Sequence, residues 1–68
     1  MTHNRNWLLR HIGEAEYNRD ASLAAADLAR LRYRRSKRHA DYRDWKDNIR
    51  QAWAMRRIVR NTRKELGA

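Results

Sequence analysis

The sequence has no cysteine and no proline, and only two glycines in 68 residues. Without cysteine there is no disulfide framework, no thiol nucleophile and no thiolate metal ligand. Without proline, and nearly without glycine, the chain lacks the turn chemistry that a fold of many short strands requires. Large aliphatic residues are scarce as well. Leu, Ile and Val together fill ten positions, no more than Ala fills alone. A core built from so few large side chains in so short a chain is thin, which argues against an enclosed substrate cavity. Acids number 8 against 17 Lys and Arg, for a formal net charge of +9. No run approaches the roughly 18 apolar residues of a membrane span. Trp7, Leu8 and Leu9 begin an apolar patch that Arg10 and His11 end at once, so neither a secretory leader nor a membrane anchor is expected. The expectation is a single small domain over residues 1–68, cytoplasmic and not membrane-bound. The excess of Arg over Lys, 14 to 3, and the missing Cys fit a bacterial or bacteriophage source.

Few aliphatics combined with high net charge is also the composition of disordered chains. Three Trp, three Tyr and the Ala-rich stretch from Ala21 to Ala29 oppose that reading. So does the periodicity. Tyr17, Ala21, Ala24, Leu28 and Leu31 recur at spacings of three and four, and the register resumes at Tyr42, Trp45, Ile49, Ala52, Val59 and Leu66. This is the helix period. Arg35 and Arg38 fall between the two series and interrupt the stripe, which places a bend near residues 36–41. Charge order agrees: six cations between Arg30 and Arg38 precede Asp41, Asp44 and Asp47, as at the end of one helix and the start of another. Asp41 is expected to cap the second helix, and Asn18 or Asp20 the first. The expected fold is all-α: an antiparallel hairpin of helices near 19–38 and 41–65, with a short N-terminal helical arm over 4–12 that stops at Gly13, completed by dimerisation. One uninterrupted helix over about 20–65 is the alternative, since no Gly or Pro marks the turn. Trp53, Met55 and Ile58 lie off the second helix's seam and form, with Trp7, the expected protein interface. They are expected to serve the dimer, the arm or another protein.

The charge is uneven. Residues 1–29 carry a net −1 and residues 30–68 a net +10. Arg30, Arg34, Lys37 and Arg38 are spaced to share one helical face, and Arg56, Arg60 and Arg63 form a second. Such faces suit nucleic acid, whose phosphates are met by Arg and Lys whatever the base sequence; Tyr33 could stack on an exposed base or lie along the duplex backbone, but the favoured reading for it is an aromatic packed against its own helix. DNA and RNA are equally served. No zinc-finger spacing, glycine-marked helix-turn-helix or leucine zipper is present. Catalysis is not expected. The three histidines, His3, His11 and His39, form no metal or acid–base pattern, and neither metal nor cofactor is implied. A divalent cation between Asp41 and Asp44 is conceivable, but capping and solvation account for both. The function expected first is a small, basic, non-enzymatic nucleic-acid-binding protein. The alternative is a protein-interaction module that regulates or inhibits a larger protein by docking Trp53 in an apolar groove or its Arg surface on an acidic site.

Overall fold

A computed structural model describes residues 4–67; His3 and the outermost ends of the expected domain lie outside them. Two helices, α1 (Arg5–Ser36) and α2 (His39–Gly67), make an antiparallel hairpin measuring 47 × 14 × 14 Å along its principal axes. The bend expected near 36–41 is there, reduced to Lys37 and Arg38. With no glycine available, Lys37 itself takes the left-handed conformation that ends α1 (φ 55°, ψ 20°), and its amide donates to the Tyr33 carbonyl at 2.8 Å. That conformation costs an L-residue roughly 1–2 kcal/mol.

The caps differ from those expected. Asn4 caps α1, its Oδ1 accepting from the Trp7 amide at 2.7 Å, while Asn18 and Asp20 lie well inside the helix. Asp41 sits in the first turn of α2, favourably for the helix dipole, yet its carboxylate accepts from the Ser36 hydroxyl rather than from a backbone amide. The amides of Asp41 and Tyr42 donate to the Arg38 carbonyl.

The arm expected over 4–12 is helical, but it is not separate. It forms the first turns of α1, which runs through Gly13 without a break. Leu8 and Ile12 before the glycine and Ala15 after it are all buried, and packing of one shared face outweighs the roughly 1 kcal/mol that an interior glycine costs.

A heptad rhythm runs through the buried and half-buried positions. In α1 it falls on Leu8, Ile12, Ala15, Arg19, Ser22, Ala26, Ala29 and Tyr33; in α2 on Asp41, Trp45, Asn48, Ala52, Met55, Val59, Thr62 and Leu66. Both series alternate steps of four and three, the seam of helices crossing at a shallow angle. The stripe expected in α2 is largely this seam. The stripe expected in α1 is not: Tyr17, Ala21, Ala24, Leu28 and Leu31 are all exposed. At about 100° per residue they lie on the far side of the helix from the seam. The face that packs is the smaller one. Ala26 and Ala29 are level with Ala52 and Asn48, between the Arg32–Asp44 and Glu16–Arg63 pairs that fix the register, and small residues there let the backbones approach. The rest of the core is at the open end, where Met55, Ile58 and Leu66 pack on Ile12, Ala15 and Val59. Tyr33, Tyr42 and Trp45 close the turn end, with ring centroids 5.4 to 6.4 Å apart.

Candidate nucleic-acid interface

The hairpin distributes its cations by side. α2 turns the series Arg43, Lys46, Arg50, Trp53, Arg57, Arg60 and Lys64 away from α1. The steps between them alternate three and four, so they form one stripe opposite the seam. It runs for about 31 Å at 1.5 Å per residue. Lys46 stands over the Trp45 ring, 4.3 Å from its centroid.

At the open end the stripe widens into a cleft of about 550 Å³ lined by Arg19, Arg56, Val59, Arg60, Arg63 and Lys64. The three arginines expected to act together, Arg56, Arg60 and Arg63, are brought together here. Val59 forms an apolar floor. The Arg56 guanidinium lies over the exposed Trp53 ring at 4.9 Å, a cation–π contact that orients a charge without neutralising it. Glu16 closes one edge, pairing with Arg63 at 3.4 Å and Arg19 at 3.9 Å, and Asp20 holds the Arg19 Nε at 3.1 Å. Five cations therefore meet two carboxylates.

The second expected cluster is not one face. Arg30 and Arg34 are on α1, but the helix ends at Ser36. Lys37 and Arg38 lie in the turn, where Lys37 stands over the Tyr33 ring at 5.6 Å and the Arg38 amide donates to the Ser36 hydroxyl at 3.1 Å. Tyr33 is half-buried, with the Tyr42 and Trp45 rings tilted against it. Asp41 and Asp44 both bind Arg32, at 3.5 and 2.7 Å, so the conceivable cation site between them is filled by a guanidinium. Among the described residues, no group of three or more metal-ligating side chains is gathered, and no helix is long and apolar enough to cross a membrane.

Few of the charges are answered. Among the described residues, four of the 17 bases reach a carboxylate: Arg19, Arg32, Arg50 and Arg63. Arg34, Arg38, Arg56 and Arg60 do not. The pairs that exist are solvent-exposed, worth about 0–1 kcal/mol each.

Six contributors were missed in the sequence. Arg43, Lys46, Arg50, Arg57 and Lys64 step with Arg60 by threes and fours along one face of α2, and that spacing was legible. Arg19 sits in the acidic half of the chain, and nothing local marked it; only its place in the heptad with Ile12, Ala15, Ser22 and Ala26 brings it across to α2. The expected protein interface is divided. Met55 and Ile58 are taken up by the core, because the arm they were free to meet is the buried start of α1. Trp53 remains exposed, and Trp7 stacks on His11 with ring centroids 4.7 Å apart.

No protein-family model, no curated protein and no solved structure matches the chain.

Proposed function

We propose that this chain is a non-enzymatic, dimeric nucleic-acid-binding protein of the cytoplasm that grips the phosphate backbone along α2. The observation that supports it is a surface with more cations than carboxylates: a stripe of about 31 Å joined to a cleft where Arg19, Arg56, Arg60, Arg63 and Lys64 converge on Glu16 and Asp20. Duplex DNA presents one negative charge per roughly 1.7 Å of axis, both strands counted, so a duplex laid along α2 carries more phosphates over that length than the stripe carries cations. The contacts position rather than read. The 14 Å girth of the hairpin, measured at Cα, exceeds the roughly 12 Å major groove, which keeps the stripe on the phosphates rather than against base edges. Binding is therefore independent of base sequence, to DNA or to RNA alike.

The alternative, docking on a larger protein through Trp53, loses support because Met55 and Ile58 are drawn into the core and Trp53 stands in a row of cations, between Arg50 and Arg57.

The test is a binding isotherm against salt with a duplex of arbitrary sequence. Six phosphate contacts give a slope of log K on log salt of about −5. Arg56→Glu with Arg60→Glu changes two exposed side chains that reach no carboxylate among the described residues, so helicity should survive while affinity falls at least about tenfold and the slope flattens by about two. Binding that ignores both salt and the double substitution would refute the proposal.

A further inference from the structure

α1 is apolar on two opposite faces, and α2 covers only one of them. On the other, Tyr17 is 75% exposed, Leu28 60% and Leu31 49%, with Ala21 and Ala24 between them also exposed. Steps of four and three separate these five residues, the same rhythm as the seam that packs on α2. No charged side chain interrupts the stripe; Asp20 and Asp27 border it on one flank.

We infer that a second copy of the chain docks antiparallel on this outward face of α1, placing the helices in a layer with both α1 helices inside and both α2 helices outside. The inference rests on the dimeric part of the function proposed above and supplies its interface. Three features of the face select the occupant. The first is charge. Around residues 14–20 α1 carries Glu14, Glu16 and Asp20 against Arg19, whereas residues 30–35 carry Arg30, Arg32, Arg34 and Arg35 and no acid. Antiparallel pairing centred near Ala24 sets the acidic end of each copy beside the basic end of the other, twice by symmetry. Glu14 then meets the second copy's Arg35, and neither has an ion-pair partner among the described residues of its own chain. Parallel pairing would set like against like.

The second feature is shape. In that register Leu28 falls opposite the second copy's Ala21, and the two Ala24 residues meet near the axis, large on small and small on small. The outward face also carries a depression of about 540 Å³ lined by Arg10, Gly13, Glu14, Tyr17 and Asn18, level with the second copy's Leu31 and Arg35. The third is Gly13. A Cβ built there meets nothing within 4 Å, so the hairpin itself has no use for a glycine that weakens its helix. A helix seated in the depression does.

Electrostatics also separates this face from its rival. Self-association through Trp53 would press Arg56, Arg57 and Arg60 of two copies together. Association through α1 keeps the cationic stripes on opposite outer surfaces.

Sedimentation equilibrium of the full chain, from micromolar to millimolar, tests the inference, with helicity checked by circular dichroism. A dimer is expected, and Leu28→Glu should weaken it at least about tenfold, a change of roughly 1.4 kcal/mol in association, while leaving the helices intact. Glu14→Arg and Arg35→Glu should each weaken it several-fold, and the two together should restore it. A dimer that survives Leu28→Glu but dissociates in Trp53→Glu would overturn this interface and keep the dimer. A dimer whose charge-reversed pair shows no mutual rescue would overturn the antiparallel arrangement. A monomer at every concentration would overturn both the interface and the dimeric part of the proposed function, leaving duplex binding to be judged by its own salt dependence.

Discussion

Two substitutions of identical chemistry, Ala24→Leu and Ala29→Leu, tell which face of α1 packs on α2. Both replace a helix-interior alanine by leucine, so the small difference in helix propensity cancels between them. They differ only in what the added isopropyl group meets. Ala29 is fully buried in the seam, at 0% exposure, where small residues hold the helices close. A leucine there forces the helices apart or into strained rotamers, at about 1–3 kcal/mol. For a domain of this size each kcal/mol is worth about 4–8 °C in melting temperature, so Ala29→Leu should melt lower by roughly 4 to 24 °C. Ala24 faces water in the monomer, and Ala24→Leu should stay within about 0.5 kcal/mol of the parent.

Leu28→Ala completes the set. Leu28 is already 60% exposed, and the part still covered is worth only about 0.6–1.2 kcal/mol. Thermal circular dichroism at low micromolar concentration, where self-association contributes least, ranks the three. If Ala24→Leu or Leu28→Ala costs more than Ala29→Leu, α1 packs through its larger stripe, and both the seam and the exposed face described above are wrong.

Three further outcomes are expected. Lys37→Gly removes the left-handed strain at the turn and should raise stability by about 1 kcal/mol, visible as a higher melting temperature, while reducing the salt slope of duplex binding by no more than about one. Gly13→Ala should raise the melting temperature of the dilute monomer, by about 0.5–1 kcal/mol in stability, because the added methyl meets nothing; unchanged or lower stability would show that the helix needs a glycine there. A dimer joined through α1 carries two cationic stripes facing opposite ways, so it should link an immobilised duplex to a labelled one, and Leu28→Glu should abolish that linkage while a single duplex is still bound.

The turn was legible because charge order reports helix polarity. The cations from Arg30 to Arg38, followed by Asp41, Asp44 and Asp47, placed the break without a glycine or proline to mark it. The helical seam of α2 was legible because its buried positions include Trp45, Val59 and Leu66, which stand out by size. On α1 residue size points to the wrong side. Tyr17, Leu28 and Leu31 are the larger residues, but close packing of two long helices favours Ala15, Ala26 and Ala29 and tolerates Arg19 and Ser22 at the seam. Size marks burial only when one face is apolar, and α1 has two. The arm was misjudged for a related reason. Gly13 is a local signal, whereas the burial of Leu8, Ile12 and Ala15 depends on α2 residues nearly fifty positions away. That same return of the chain consumed Met55 and Ile58, and it placed Arg19 beside Arg63. Of the expected cationic residues, those fixed by spacing within one helix, Arg56, Arg60 and Arg63, stayed together. Those that relied on a helix continuing past Ser36, Lys37 and Arg38, did not.

Salt should move stability and duplex binding in opposite directions, and the reason lies in the same unanswered charges. At 0.01 M ionic strength the Debye length is about 30 Å, a large part of the hairpin's 47 Å length. The cations of the outward stripe and those near the turn then repel one another across most of the molecule. Near 0.15 M the length falls to about 8 Å, and repulsion survives only between near neighbours such as Arg56, Arg57 and Arg60. The exposed pairs that salt would weaken, Arg19–Glu16, Arg50–Asp47 and Arg63–Glu16 among them, contribute little. Relief of self-repulsion outweighs their loss, so the melting temperature should rise between these two conditions while duplex affinity falls. A bound polyanion replaces the missing counter-charge more effectively than dissolved ions do, and at low salt a duplex should raise the melting temperature further. A chain that loses stability as salt increases would show that its ion pairs dominate over its unpaired cations, and the electrostatic case for a phosphate partner would fall with that result.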